Sequence, residues 1–132
     1  MGCEEAIALA QDGKNVTIVE MTDVIAGEAD GGLKQMIDEK IALYRIPVLT
    51  GHSCVRITDE GAAVKNKDGE ETMLKADTVL IAAGVRPKDM ETNRLRETCY
   101  DLGIEFIAVG DCRKTGRIRE ATSSGYFAGR NA

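Results

Sequence analysis

A short apolar run closed by an acid constrains this chain more than any other segment. Lys14-Asn15-Val16-Thr17-Ile18-Val19-Glu20 follows a helix-like stretch, Cys3 to Gln11, that stops at Asp12-Gly13. Glu4 and Glu5 fall in the first turn of that stretch, where carboxylates favour the positive end of the helix dipole. Ala6, Ile7, Leu9 and Ala10 supply its packing surface, and Gly13 offers a left-handed stop. Val16 to Val19 is apolar at nearly every position, the mark of a buried parallel strand. A helix feeding directly into such a strand commits the chain to an α/β layered fold.

The rest of the sequence extends that pattern. Residues 21–32 form a loop rich in Asp, Glu and Gly. Leu33, Met36, Ile37, Ile41 and Tyr44 then recur at spacings of three and four, which predicts a helix with one apolar stripe. Asp30 is its expected cap, Pro47 its stop, and Pro47 to Leu49 a short strand. Cys54–Thr58, Ala62–Asn66 and Glu71–Lys75 are β-type segments separated by the turns Asp59-Glu60-Gly61 and Lys67-Asp68-Gly69. They predict a three-stranded antiparallel meander. Val79–Gly84 and Phe106–Asp111 are expected as two further buried strands, with a helix from Pro87 through Cys99 between them. The tail from Arg117 is expected to be helical, packing through Ile118, Ala121, Tyr126 and Phe127.

Composition excludes several functions. At 132 residues the chain suffices for one ordinary core. A net charge of −5 argues against nucleic acid, whose binders are basic. No apolar run approaches the roughly 20 residues that span a bilayer. No basic and apolar leader opens the sequence, so a cytoplasmic location is expected. Cys3, Cys54, Cys99 and Cys112 form no C-x-x-C pair, which leaves them as reduced, packed thiols rather than a zinc or redox site. His52 is the single histidine and sits in a turn-like Thr50-Gly51-His52-Ser53, so no multi-histidine metal site is expected. No residue stands out as a nucleophile or general base.

Three constellations carry chemistry. The first is Glu20. In a dinucleotide-binding βαβ unit the second strand ends in Asp or Glu, about 20 residues after a glycine turn, and the carboxylate accepts from the ribose hydroxyls. Met1-Gly2-Cys3-Glu4 reads as the third glycine of that turn and the helix start, with the first strand and first two glycines absent. An acid at this position repels a 2′-phosphate. No Arg or Lys lies between Met21 and Gly32 to offset it, so the bias is towards NAD(H) over NADP(H). The second constellation is Ala82-Ala83-Gly84-Val85-Arg86-Pro87, a strand exit small enough for close approach to a ligand. The third is Val109-Gly110-Asp111-Cys112, where glycine permits close approach and Asp offers an acceptor to a polyol hydroxyl. Each also has a plain structural reading: an exposed carboxylate, an ordinary turn, and a cap for the next segment.

Taken in order, these segments resemble the pyridine nucleotide-disulfide oxidoreductase superfamily. Within it the chain resembles the C-terminal part of bacterial 2-enoate and 2,4-dienoyl-CoA reductases, often labelled NADH oxidases. The resemblance spans essentially the whole chain. It implies an α/β fold with a partial Rossmann-type, FAD/NAD(P)-binding sheet beside the meander. Residues 1–83 would form an NAD(H)-binding domain lacking its first strand and most of its glycine turn, and residues 84–132 the C-terminal segment of an FAD-binding domain. It further implies that Gly2 lies at the pyrophosphate, Glu20 on the ribose, and Ala83 and Gly84 along the nicotinamide nucleotide. Gly110 and Asp111 would meet the ribityl chain of FAD, with Arg117 and Ile118 near the flavin. Hydride would pass from NADH to FAD and on to an enoate or enoyl-thioester, and the chain alone would be inactive. Its implied partners are the two nucleotides and the remainder of such an enzyme, the barrel and the first FAD segment. No nucleic acid and no membrane are expected. Where the first strand belongs, either Val16–Val19 pairs directly with Val79–Ala82 or a homodimer covers the unpaired edge. The rival reading is a non-enzymatic α/β module for binding or assembly that retains the scaffold only.

Overall fold

In the computed structural model, which describes residues 1–131, the chain falls into two compact units divided between Ala82 and Ala83. The first holds helix α1 (Gly2–Gln11), strand β1 (Ile18–Val19), helix α2 (Gly31–Leu43) and strand β2 (Val48–Leu49). It continues into the meander β3 (Ser53–Thr58), β4 (Gly61–Lys65) and β5 (Glu71–Lys75). The second holds helix α3 (Asp89–Asp101), a 3₁₀ turn (Gly110–Cys112) and helix α4 (Ile118–Asn131).

Local chemistry sets the helix ends in the first unit. Gly13 takes φ +77° after α1, and Lys14 N–H donates to the Leu9 carbonyl at 3.0 Å, closing the helix by a left-handed residue. Asp30 caps α2 as expected, its carboxylate accepting from Leu33 N–H at 3.0 Å. The far end of α2 closes the same way as α1. Arg45 adopts φ +52° and Ile46 N–H donates to the Ile41 carbonyl at 3.0 Å. Both isoleucines belong to the core, so the apolar contact that accompanies such a cap is also the packing contact. Pro47 thus follows a helix that has already ended.

That core is small. Ile7 of α1 meets Ile37 and Ile41 of α2 and Ile46, with Cys3, Val16, Ile18 and Leu33 packed around them. Met36 lies off the apolar stripe and is exposed. β1 and β2 pair in parallel, Ile18 opposite Val48 and Val19 opposite Leu49, with α2 as the crossover. In the meander, Ala62, Ala63 and Val64 of the central strand are buried while both outer strands are largely exposed. The bulge between Cys54 and Arg56 shifts the register of β3 against β4.

Several expected elements are absent. Val79–Gly84 and Phe106–Asp111 form no strand, and Gly110 and Asp111 enter a 3₁₀ turn instead. The cause is pairing rather than propensity: among the described residues no strand hydrogen-bonds to either run. Direct pairing of Val16–Val19 with Val79–Ala82 is likewise absent among the described residues, where β1 pairs with β2. Paired on one edge, β1 is also half-buried rather than buried. On α4, Ile118, Tyr126 and Phe127 do not pack inward; they are 83%, 64% and 59% exposed.

Candidate functional site

Glu20 leaves β1 where the parallel pairing continues for another turn of the ladder. Its N–H donates to the Leu49 carbonyl at 2.9 Å, and its own carbonyl accepts from His52 N–H at 3.0 Å. Gly51 N–H then reaches the Thr22 carbonyl at 2.9 Å. These bonds fix the backbone on which the carboxylate stands. The carboxylate itself is held from one side: Thr22 N–H and the Thr22 hydroxyl both address Oε1, at 2.8 and 2.9 Å. That hydroxyl also lies 3.0 Å from the Val24 carbonyl, and having one proton it serves one acceptor at a time. Both contacts converge on Oε1, which leaves Oε2 open to a hydroxyl donor.

Near this strand exit the structure brings in residues that no local pattern announced. Thr22 is legible afterwards as the short polar residue that turns back on an acid two positions earlier. Lys67 comes from the β4–β5 turn and pairs with Asp23, in the loop that follows Glu20. Nothing in the sequence links positions so far apart. His52 is a loop residue, as expected, and its Nδ1 lies 2.6 Å from the Thr50 carbonyl.

Gly2 opens α1 at a tight spot. A Cβ there would stand 2.8 Å from the Ala82 Cβ, so only glycine fits without movement. Burial pushes the neighbouring Cys3 thiol up, and the charges of Glu20 and Asp38 add to it against the opposing N-terminal ammonium and Lys34. Cys3 thus acts as a small neutral packing group against the core.

In the second unit Ala83 and Gly84 are exposed, with Gly84 in the left-handed region at φ +77°. Gly110, at φ +63°, is tied to α4: its N–H donates to the Ser124 hydroxyl at 2.9 Å, which in turn donates to the Ala121 carbonyl. Asp111 is exposed, and its Oδ1 accepts from Gly116 N–H at 3.3 Å. The turn thereby places Asp111 beside the approach to α4, where Arg117 N–H donates to Glu120 Oε2 at 2.9 Å. Those two backbone N–H groups, of Glu120 itself and of Arg117, hold the Glu120 carboxyl below the usual range. The structure thus brings Gly110, Asp111, Arg117 and Ile118 to one end of α4. An open groove runs past Asp111, lined also by Arg86, Lys88, Glu91, Thr92 and Cys112. Thr92 is buried and its hydroxyl donates to the Cys112 carbonyl at 3.3 Å. Among the described residues no group of three His, Cys, Asp or Glu side chains is placed to hold a metal ion. Among the described residues no helix is long and apolar enough to cross a membrane.

A parallel strand pair bridged by a helix, with an acid at the first strand's exit and an antiparallel meander behind it, defines an α/β protein of the Rossmann type. The chain belongs to the pyridine nucleotide-disulphide oxidoreductase family, which matches residues 1–125. It is similar to an NADH oxidase of Thermoanaerobacter brockii, 33% identical over 96% of this chain and 19% of that protein. A bilirubin reductase of Mediterraneibacter gnavus is 32% identical over 97% of this chain and 19% of its own length. A cinnamate reductase of Clostridium sporogenes is 33% identical over 99% and 19% respectively. The chain therefore spans about a fifth of the length of these curated relatives.

Proposed function

We propose that the first unit binds NAD(H) and that the second contributes to an FAD site, within a flavin-dependent oxidoreductase. Glu20 carries the reading. It stands at the exit of a parallel strand, with Oε1 held by Thr22 and Oε2 open, a geometry suited to accepting from ribose hydroxyls. Gly2, packed close to Ala82, stands at the start of α1, where backbone N–H groups favour a phosphate. In the second unit, Asp111 is exposed beside the start of α4 and fits a polyol such as the ribityl chain. Arg117 and Ile118 lie at the same end of α4, and Ala83 and Gly84 would border the nicotinamide.

When bound, the two nucleotides supply the hydride chemistry, and the protein supplies binding and orientation. Glu20 fixes the adenosine end through its ribose, and its charge disfavours a 2′-phosphate. Asp111 fixes the flavin end. The hydride acceptor beyond the flavin is an unsaturated acid or thioester, a class supported by the likeness to a cinnamate reductase.

An affinity on the order of millimolar, or about −4 kcal/mol, suffices for the test. Amide chemical-shift titration of the 132-residue chain tests the reading. NADH is expected to move the amides of Glu20, Thr22 and His52, and FAD those from Gly110 to Arg117. Titrations that leave both sets unmoved at millimolar nucleotide would overturn it.

A further inference from the structure

The contact between Asp23 and Lys67 joins two parts of the first unit that are remote in sequence. Lys67 belongs to the turn between β4 and β5, and Asp23 to the loop that follows Glu20. Gly51 lets the lysine lie flat: a Cβ on Gly51 would stand 3.0 Å from Lys67 Cε. Gly51 is itself bonded to Thr22, whose side chain holds Glu20. A path of neighbours therefore runs from Lys67 past Gly51 and through Thr22 to the Glu20 carboxylate. The ammonium thus stands over a loop that has no Lys or Arg of its own between Met21 and Gly32.

We propose that Lys67 is a specificity-determining residue of the Glu20 site, and that its pairing with Asp23 keeps its charge from a 2′-phosphate. The inference rests on the reading of Glu20 as the ribose acid. A 2′-phosphate would meet the Glu20 and Asp23 carboxylates, while Lys67, the nearby cation contributed by the meander, is neutralised by Asp23. Both partners are largely exposed, 63% and 73%, so the pair adds little to folding stability and can be altered without unfolding the unit. Its effect is on the sign of the charge that a ligand meets. Removing the Asp23 charge releases a lysine whose stem already lies across Gly51, and a lysine ammonium is a sufficient phosphate partner as a point charge.

The test uses the full 132-residue chain and four probes: 5′-AMP, adenosine 2′,5′-bisphosphate, NADH and NADPH, followed by amide shifts. Asp23→Asn is expected to tighten adenosine 2′,5′-bisphosphate and NADPH relative to 5′-AMP and NADH by roughly two- to fivefold, the scale of one exposed charge contact. Adding Lys67→Gln to that variant is expected to abolish the gain. A gain that survives in the double variant would mean that lost repulsion from Asp23 explains it, and would overturn the role of Lys67. No gain in Asp23→Asn, while NADH still moves the Glu20 amide in the parent chain, would overturn the proposal and leave the ribose reading standing. An NADH titration that leaves Glu20 and Thr22 unmoved in the parent would overturn both.

Discussion

Gly2 and Ala82 meet so closely that a Cβ on the glycine would lie 2.8 Å from the Cβ of the alanine. The start of α1 and Ala82 are thus packed too closely for a side chain at position 2. The last glycine of a dinucleotide-binding turn serves close helix–strand packing; here the neighbour, Ala82, lies in an apolar run that forms no strand.

Gly2→Ala sets two effects against each other. Alanine gains roughly 0.5–1 kcal/mol over glycine in a helix, whereas overpacking typically costs about 1–3 kcal/mol. The steric term is expected to win, because the opposing atom is a Cβ fixed to backbone rather than the tip of a flexible side chain. Denaturant unfolding is expected to show a net loss, and Ala82→Gly in the same chain to restore it. A Gly2→Ala chain at least as stable as the parent would contradict the contact.

Gly61 is the more severe case. It takes φ +133° at the first meander turn, and a Cβ would fall 2.1 Å from the Leu74 carbonyl oxygen and 2.7 Å from Ala76 N. Gly69, at φ +88° in the second turn, has nothing nearer than 3.6 Å. Gly69→Ala is therefore expected to cost only backbone strain, about 1–3 kcal/mol. Gly61→Ala must also displace β5, and is expected to cost more and to weaken amide protection across β4 and β5. Equal losses in hydrogen exchange and unfolding would refute this ranking.

Glu120 links pH to the start of α4. Its carboxylate accepts from Arg117 N–H and its carboxyl is held below the usual range. A carboxylate depressed in the folded state stabilises above its unfolded pKa, about 4.3, and that contribution is lost as pH falls through the lower folded value. The Glu120 carboxyl carbon is expected to titrate below about 4.3, with the Arg117 amide shifting at the same midpoint. Glu120→Ala is expected to remove that step from the Arg117 amide. A midpoint at or above the ordinary value would argue against the cap.

The local signals and the antiparallel pairings of the meander were legible in the sequence, whereas the fate of the two later apolar runs was not. Asp30 at the head of α2, Gly13 after α1 and the two glycine turns of the meander each act through their own backbone neighbourhood, so their residue types announce them. Val79–Gly84 and Phe106–Asp111 read as buried strands because their apolar runs suit one, but a strand also requires a hydrogen-bonded neighbour. Leu80 and Ile81 are 61% and 77% exposed. The same limit applies at the site. Glu20 was visible from its place after an apolar run, whereas Lys67 reaches Asp23 only through the folding of the meander against the first loop.

The most direct test of the account is whether the Glu20 carboxylate binds the ribose of NADH. Titrating NADH into the parent chain and into Glu20→Ala, followed by the amides of Thr22 and His52, measures it. Loss of charge-assisted hydrogen bonds is expected to weaken binding by about 1–3 kcal/mol, and to narrow the preference over NADPH because the acid no longer repels the 2′-phosphate. An unchanged NADH affinity together with an unchanged NADH-to-NADPH ratio in Glu20→Ala would contradict the assignment.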